Sequence, residues 1–207
     1  MPQKTKSRNY LKSLLLIYTA AVLVSFTGTE RIVNDFSLKD VTGRMVSLKD
    51  YPGAKGFVIV FTCNHCPFAK LYPQRLNELY AKYTPLGVPV IAISSSDTVN
   101  YDEDMYPEMV AKAKEGHFVF PYLYDGAQSA ARNFSAQKTP HAFVVWKEGG
   151  KWVVKYSGAI DDNGAEPAKV THRYIEDAVE ALLHGQPVAV KETKSIGCQI
   201  QFRALKK

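Results

Sequence analysis
Cys63-Asn64-His65-Cys66 sets two thiols two residues apart, a spacing that suits thiol–disulfide exchange. Two intervening residues let one helical turn bring both sulfurs within bonding range, so the pair can pass between dithiol and disulfide. Exchange needs a thiolate. A free cysteine with pKa ~8.5 is only about 3% ionised at pH 7, whereas at a helix N-terminus the pKa can fall to ~7 or lower. Cys63, the first of the pair, is the expected nucleophile. His65 can donate to the Cys63 thiolate or favour it electrostatically, which would stabilise the reduced form and make the disulfide more oxidising. A third cysteine, Cys198, stands far along the chain. Its spacing leaves two readings open, a buried thiol and an additional redox partner. No second close ligand pair accompanies these cysteines, so no metal and no cofactor is expected.

The surrounding elements are those that would position such a pair. Phe57 to Phe61 reads as a short buried strand feeding the motif. From Pro67 to Tyr83 the apolar positions Phe68, Tyr72, Leu76, Leu79, Tyr80 and Tyr83 fall at helical spacing. Pro67 suits a first helical turn, and Pro73 is expected to kink the helix. Val88 to Ser94 is a second buried strand, Met105 to Glu115 a helix, Tyr122 to Tyr124 a short strand and Ala127 to Phe134 a short helix. Thr139 to Trp146 and Trp152 to Tyr156 pair across the turn Glu148-Gly149-Gly150. Thr171 to His184 is a last amphipathic helix closed by Gly185, and the tail from Gln186 is irregular. Upstream, Arg31 to Tyr51 holds two short strands joined at Asp40-Val41-Thr42-Gly43. Alternating strands and helices give an α/β fold: a central mixed sheet flanked by helices, with an N-terminal β-hairpin extension. His141 reads first as a strand residue, and Asp161 and Asp162 as parts of a turn. Asp102, Glu103, Asp104 and nearby tyrosines lie on an insertion, a candidate substrate surface.

Charge is unevenly placed. The 207 residues carry a net charge of +6, but Lys4, Lys6, Arg8 and Lys12 lie in residues 1–28 without an acid, leaving 22 basic against 20 acidic side chains beyond them. That balance offers no nucleic-acid footprint. The basic stretch precedes an apolar run over residues 13–26, about the length of a signal-peptide core and short for a membrane span of ~20 residues. Residues 1–28 are therefore expected to be a signal peptide or N-terminal anchor, and 29–207 one domain. The protein is expected to be exported, periplasmic or otherwise extracytoplasmic, touching membrane only through residues 13–26. One close cysteine pair in an exported chain is not a disulfide scaffold, which again points to redox work.

Phe61-Thr62-Cys63-Asn64-His65-Cys66-Pro67, Phe120 to Asp125, Thr139-Pro140, Tyr156 to Asp162 and Ser195 to Ile200 occur together in this chain. In these pieces it resembles the thioredoxin-like redoxins grouped with the alkyl hydroperoxide reductase and thiol-specific antioxidant proteins, and within them a peroxiredoxin-like branch. The resemblance covers roughly residues 33–203. It implies a thioredoxin-like fold with Cys63 as the attacking thiol, Cys66 as the resolving thiol, and Thr139-Pro140 as the cis-proline pair beside them. A cis Pro140 would leave the backbone of Thr139 free to pair with an incoming peptide. The chain departs from the family in having Thr62 where a Trp usually precedes the first cysteine. It has Lys138 where many relatives carry a further cysteine. Thioredoxin's buried acid would fall near Phe57, which is apolar, so proton transfer to Cys66 would need another group.

The implied activity is exchange of electrons with protein or small-molecule disulfides and thiols, supplied by a donor or acceptor that the sequence does not name. A peroxidase is the alternative enzyme. Its pattern P-x-x-x-[ST]-x-x-C is not met, since Ile59 and Cys63 precede Cys66 at those places, and Gly56 and Val60 precede Cys63. A non-enzymatic binding module is the third reading, and would survive loss of both Cys63 and Cys66.

Overall fold
The structure is a computed structural model that describes residues 30–204; the leader expected over residues 1–28 lies outside the described residues. Three short strands come first: β1 (Ile32–Val33), β2 (Ser37–Asp40) and β3 (Met45–Ser47). The Asp40 carboxylate closes the β2–β3 turn by accepting the backbone N–H groups of Thr42 at 2.8 Å and Arg44 at 3.0 Å. This is the local side-chain capping that makes Asp a turn residue.

The chain continues through β4 (Gly56–Thr62), α1 (Pro73–Tyr83), β5 (Val90–Ser94), α2 (Tyr106–Glu115), β6 (Tyr122–Tyr124) and α3 (Ser129–Phe134). It ends with β7 (Lys138–Thr139), β8 (His141–Glu148), β9 (Lys151–Gly158), α4 (Tyr174–Leu183) and β10 (Cys198–Gln199). Eight strands form one sheet in the order β1-β9-β8-β4-β5-β6-β2-β3. β4, β5 and β6 run parallel, β8 joins antiparallel to β4, and β9 pairs antiparallel to β8. The N-terminal hairpin extends the sheet by pairing β2 with β6. This is the mixed, helix-flanked thioredoxin-like sheet that the resemblance implies.

β4 sits at the centre, and Phe57 to Phe61 have no exposed surface. Its alternating side chains enter two cores. Val58 and Val60 pack with Leu76, Leu79 and Tyr83 of α1, Met109 of α2 and Ile175 and Val179 of α4. Phe57, Ile59 and Phe61 pack on the opposite face with Ala130, Ala131 and Phe134 of α3. Both faces of the strand are apolar, which is why it reads as a continuous hydrophobic run. With its neighbours holding it on both edges, its C-terminal end is a rigid launch point for Cys63.

Two expectations are corrected. Pro73 opens α1 and does not kink it. Proline has no N–H to give the carbonyl of Ala69, which accepts instead from Tyr72 at 3.2 Å. The chain from Ala69 to Leu71 tightens into a 3₁₀ turn, and the regular helix starts where proline is favoured. The tail is also not wholly irregular, because Cys198 and Gln199 pair antiparallel with Thr139 and Lys138. No helix among the described residues is long and apolar enough to cross a membrane.

Candidate functional site
Thr62, the last residue of β4, pairs with Ser94 of β5 and delivers Cys63 beyond the sheet edge. The motif lies in a non-helical bend ahead of the 3₁₀ turn, so the N-terminus of α1 does not sit on Cys63 as the sequence spacing predicts. Cys63 is 5% exposed and Cys66 not exposed at all. All three cysteines are free thiols.

Thr139 binds both sulfurs. Its Oγ1 is 3.0 Å from Cys63 Sγ, and its carbonyl oxygen accepts from the Cys66 thiol at 3.1 Å. The Thr139-Pro140 peptide bond is cis, as the resemblance implies. The backbone of Thr139 is not free for a peptide, however. β10 takes that edge, with Cys198 opposite Thr139. Gly197 makes this approach possible: a Cβ there would lie 2.0 Å from the Thr139 carbonyl oxygen. Its φ of +159° is also open to glycine at little cost.

Cys198 thereby reaches the motif. Its N–H donates to Cys66 Sγ at 3.3 Å, and its side chain packs on Cys63, Cys66 and Ala69. The sequence did not say whether this thiol comes near the pair; the tail strand brings it to the buried sulfur.

The acid missing beneath the motif enters from the other side. Asp104 has no exposed surface. Its Oδ1 accepts the Asn64 N–H at 2.5 Å, and its Oδ2 contacts His65 Nδ1. Asn64 is held at three points: besides that bond, its Nδ2 donates to the Glu103 carbonyl at 2.7 Å and its Oδ1 accepts from Tyr122 at 3.0 Å. The His65 ring stacks on Tyr101 with centroids 3.8 Å apart. The insertion read as a substrate surface thus clamps both residues between the cysteines. His65 Nδ1 is committed to Asp104, so the histidine's polar contact is with the acid. The signal in the sequence was the Asp102-Glu103-Asp104 cluster beside tyrosines, but its distance along the chain hid which acid turns inward. The ligand atoms of Cys63, His65 and Asp104 lie within 4.8 Å of one another.

Electrostatics follow from these contacts. The Cys63–Cys66 hydrogen bond holds the Cys66 thiol down, to about 4, with further help from Cys198 and the Ala69 N–H. The same bond, then burial, pushes the Cys63 thiol far up, and the Asp104 charge adds to the rise. The pair gives up one proton readily and a second with difficulty. The Thr139 hydroxyl works the other way, favouring charge on Cys63.

His141, opposite Phe61 in β8, is structural, as read from the strand. Its Nδ1 accepts the Gln137 N–H at 3.3 Å, and its Nε2 lies 3.3 Å from Ser157 Oγ. Burial, then Arg31 and Lys138, pushes the imidazole down to about 4. An unfolded histidine takes its proton near 6.5, so between those values the unfolded chain binds more protons than the native one. Stability from this site should be complete above pH 6.5 and fall as pH drops towards 4, by about 3 kcal/mol in all. Urea unfolding across that range reads the loss, and His141→Gln should flatten it. An equally steep fall in the variant would assign the effect elsewhere. Asp161 is likewise structural, accepting from Tyr72 at 3.1 Å and pairing with Arg75, and Asp162 caps Thr171.

Thiol-disulfide oxidoreductase ResA of Bacillus cereus is 32% identical over 60% of this chain and 66% of its own length. ResA of Bacillus thuringiensis subsp. konkukian is matched over 62% of its length, so the chain spans somewhat less than two thirds of these relatives. The crystal structure of an uncharacterized conserved protein from Geobacillus kaustophilus superposes with a TM-score of 0.77 at 36% identity, covering 86% of this chain and 93% of that one. A thiol:disulfide interchange protein of the thioredoxin family from Chlorobium tepidum shares the fold, with a TM-score of 0.56 at 14% identity over 74% of this chain and 97% of its own. Residues 29–156, more than half of the chain, match the AhpC/TSA family, and the protein belongs to that family.

Proposed function
We propose that this protein is an exported thiol–disulfide oxidoreductase working through Cys63 and Cys66. The observation that carries the reading is the asymmetry of the pair: Cys63 reaches solvent, Cys66 does not, and both touch Thr139. Of the two motif sulfurs, a substrate disulfide can meet only Cys63. Cys63 Sγ passes its proton to the hydrogen-bonded Cys66 thiolate as it attacks one substrate sulfur, the substrate S–S bond breaks, and the second substrate sulfur leaves as thiolate. Cys66 then attacks Cys63 Sγ, forming the Cys63–Cys66 disulfide and releasing the first substrate sulfur. In reverse, the oxidised pair donates its disulfide.

The ResA matches support the activity, and the basic leader with its apolar run over residues 13–26 supports export. Exposed Phe68, Leu71 and Ile196 line a groove beside Pro140, which favours polypeptide over small-molecule substrates.

Equilibration of the full chain in glutathione buffers, read by thiol trapping, tests the proposal. A disulfide that includes the buried Cys66 should form. A potential near about −120 mV would make the protein a disulfide donor, and one near about −270 mV a reductase fed by an electron source. If no disulfide that includes Cys66 forms at any glutathione ratio, the binding reading replaces this one.

A further inference from the structure
We propose that Cys198 is a third redox thiol, and that the oxidised site isomerises from a Cys63–Cys66 disulfide to a Cys66–Cys198 disulfide. The inference deepens the function proposed above and rests on it.

Three observations place the thiol. The Cys198 N–H donates to Cys66 Sγ at 3.3 Å, and its side chain is packed against the two motif cysteines. β10 is fixed in register by Cys198 facing Thr139, the residue that binds both sulfurs, and by the Ile200 N–H donating to the Gln137 carbonyl at 2.8 Å. Gly197 fits against the Thr139 carbonyl where a Cβ would collide. A tail that needed only to cover the site would not require a thiol seated on the sulfur that substrates cannot reach.

The step balances without an outside oxidant. The Cys198 thiolate attacks Cys66 Sγ, the Cys63–Cys66 bond breaks, and the Cys66–Cys198 bond forms. Cys63 leaves as thiolate and takes up the proton that Cys198 released. The protein stays at the same oxidation level. Oxidation of the motif makes the Cys198 thiol easier to ionise. Burial, then the hydrogen bond and charge of Cys66, hold the Cys198 thiol up at about 11 in the dithiol form. Closing the Cys63–Cys66 disulfide abolishes the Cys66 charge and removes that part of the restraint. The result is a protein that carries its disulfide on the fully buried sulfur while Cys63 is again a free thiol, ready for a second substrate.

Peptide mapping distinguishes the two bonds. Trypsin releases residues 56–70 with both Cys63 and Cys66, and residues 195–203 with Cys198. The full chain is equilibrated with oxidised glutathione, quenched in acid, blocked and digested. Wild type should show the two peptides joined through Cys66, and Cys198→Ser should not. Cys63→Ser, left long enough for oxidised glutathione to react at the partly exposed Cys198, should lose both remaining thiols and give the same joined pair. The proposal is overturned if wild type gives only the internal disulfide within residues 56–70 at every glutathione ratio. It is equally overturned if folded Cys63→Ser keeps both thiols or carries only glutathione adducts. In those cases a wild-type Cys63–Cys66 disulfide would leave the oxidoreductase reading standing, whereas absence of any disulfide would remove both.

Discussion

Cys63→Ser should abolish disulfide exchange, and Cys66→Ser should trap it halfway. The two variants differ because the two sulfurs differ in access. A serine hydroxyl at neutral pH is not ionised and does not attack sulfur, so loss of Cys63 should cost on the order of a thousandfold or more. With Cys63 in place and Cys66 gone, the first step still runs, but nothing at the buried position resolves it. One substrate sulfur then stays covalently bound to Cys63. Intact mass after incubation with a disulfide-bonded peptide reads this directly, as one adduct per chain on Cys66→Ser and none on Cys63→Ser. The adduct should be releasable by reductant. Turnover by Cys66→Ser at the wild-type rate would show that another thiol reaches Cys63. Activity surviving in the double variant Cys63→Ser, Cys66→Ser would mean that the motif does not carry the function, and the binding reading would stand.

The parts of this site that were legible in the sequence are those set by local pattern. The apolar run ending at Phe61, the spacing of Cys63 and Cys66, and the strand pair following Thr139-Pro140 each rest on a few neighbouring residues, and each lies where the pattern puts it. What was not legible depends on contacts across long stretches of chain. Asp104 meets His65 from 39 residues away, and only the fold decides that it, and not Asp102 or Glu103, is buried. Cys198 crosses 132 residues to reach Cys66, carried by a two-residue strand too short to leave a periodic signal. Pro73 shows a different limit. A proline inside a helical pattern can bend a helix or start one, and the apolar spacing on either side is the same for both. The outcome here follows from the 3₁₀ turn at Ala69–Leu71, which gives the Ala69 carbonyl another donor.

Asp104→Asn should make Cys63 more reactive. The carboxylate lies within 4.8 Å of Cys63 Sγ and pushes that thiol up. Like charges about 5 Å apart repel by about 3 kcal/mol at an effective dielectric of about 20, and the facing His65 offsets part of this. A net relief of about 1.4–3 kcal/mol would move the Cys63 thiol down by one to two units. While its pKa stays above the working pH, each unit multiplies the thiolate fraction about tenfold. Alkylation of Cys63 at neutral pH should therefore speed up about ten- to a hundredfold, with its pH profile displaced to lower pH. The amide oxygen of the variant can still accept the Asn64 N–H, so the bend between the cysteines should persist. That separates charge from scaffold: loss of support alone would raise the alkylation rate without moving the profile's midpoint. A midpoint unchanged or displaced upward in Asp104→Asn would show that His65, paired with this acid, sustains the Cys63 thiolate more strongly than the acid opposes it, which is the role the sequence alone assigns to the histidine.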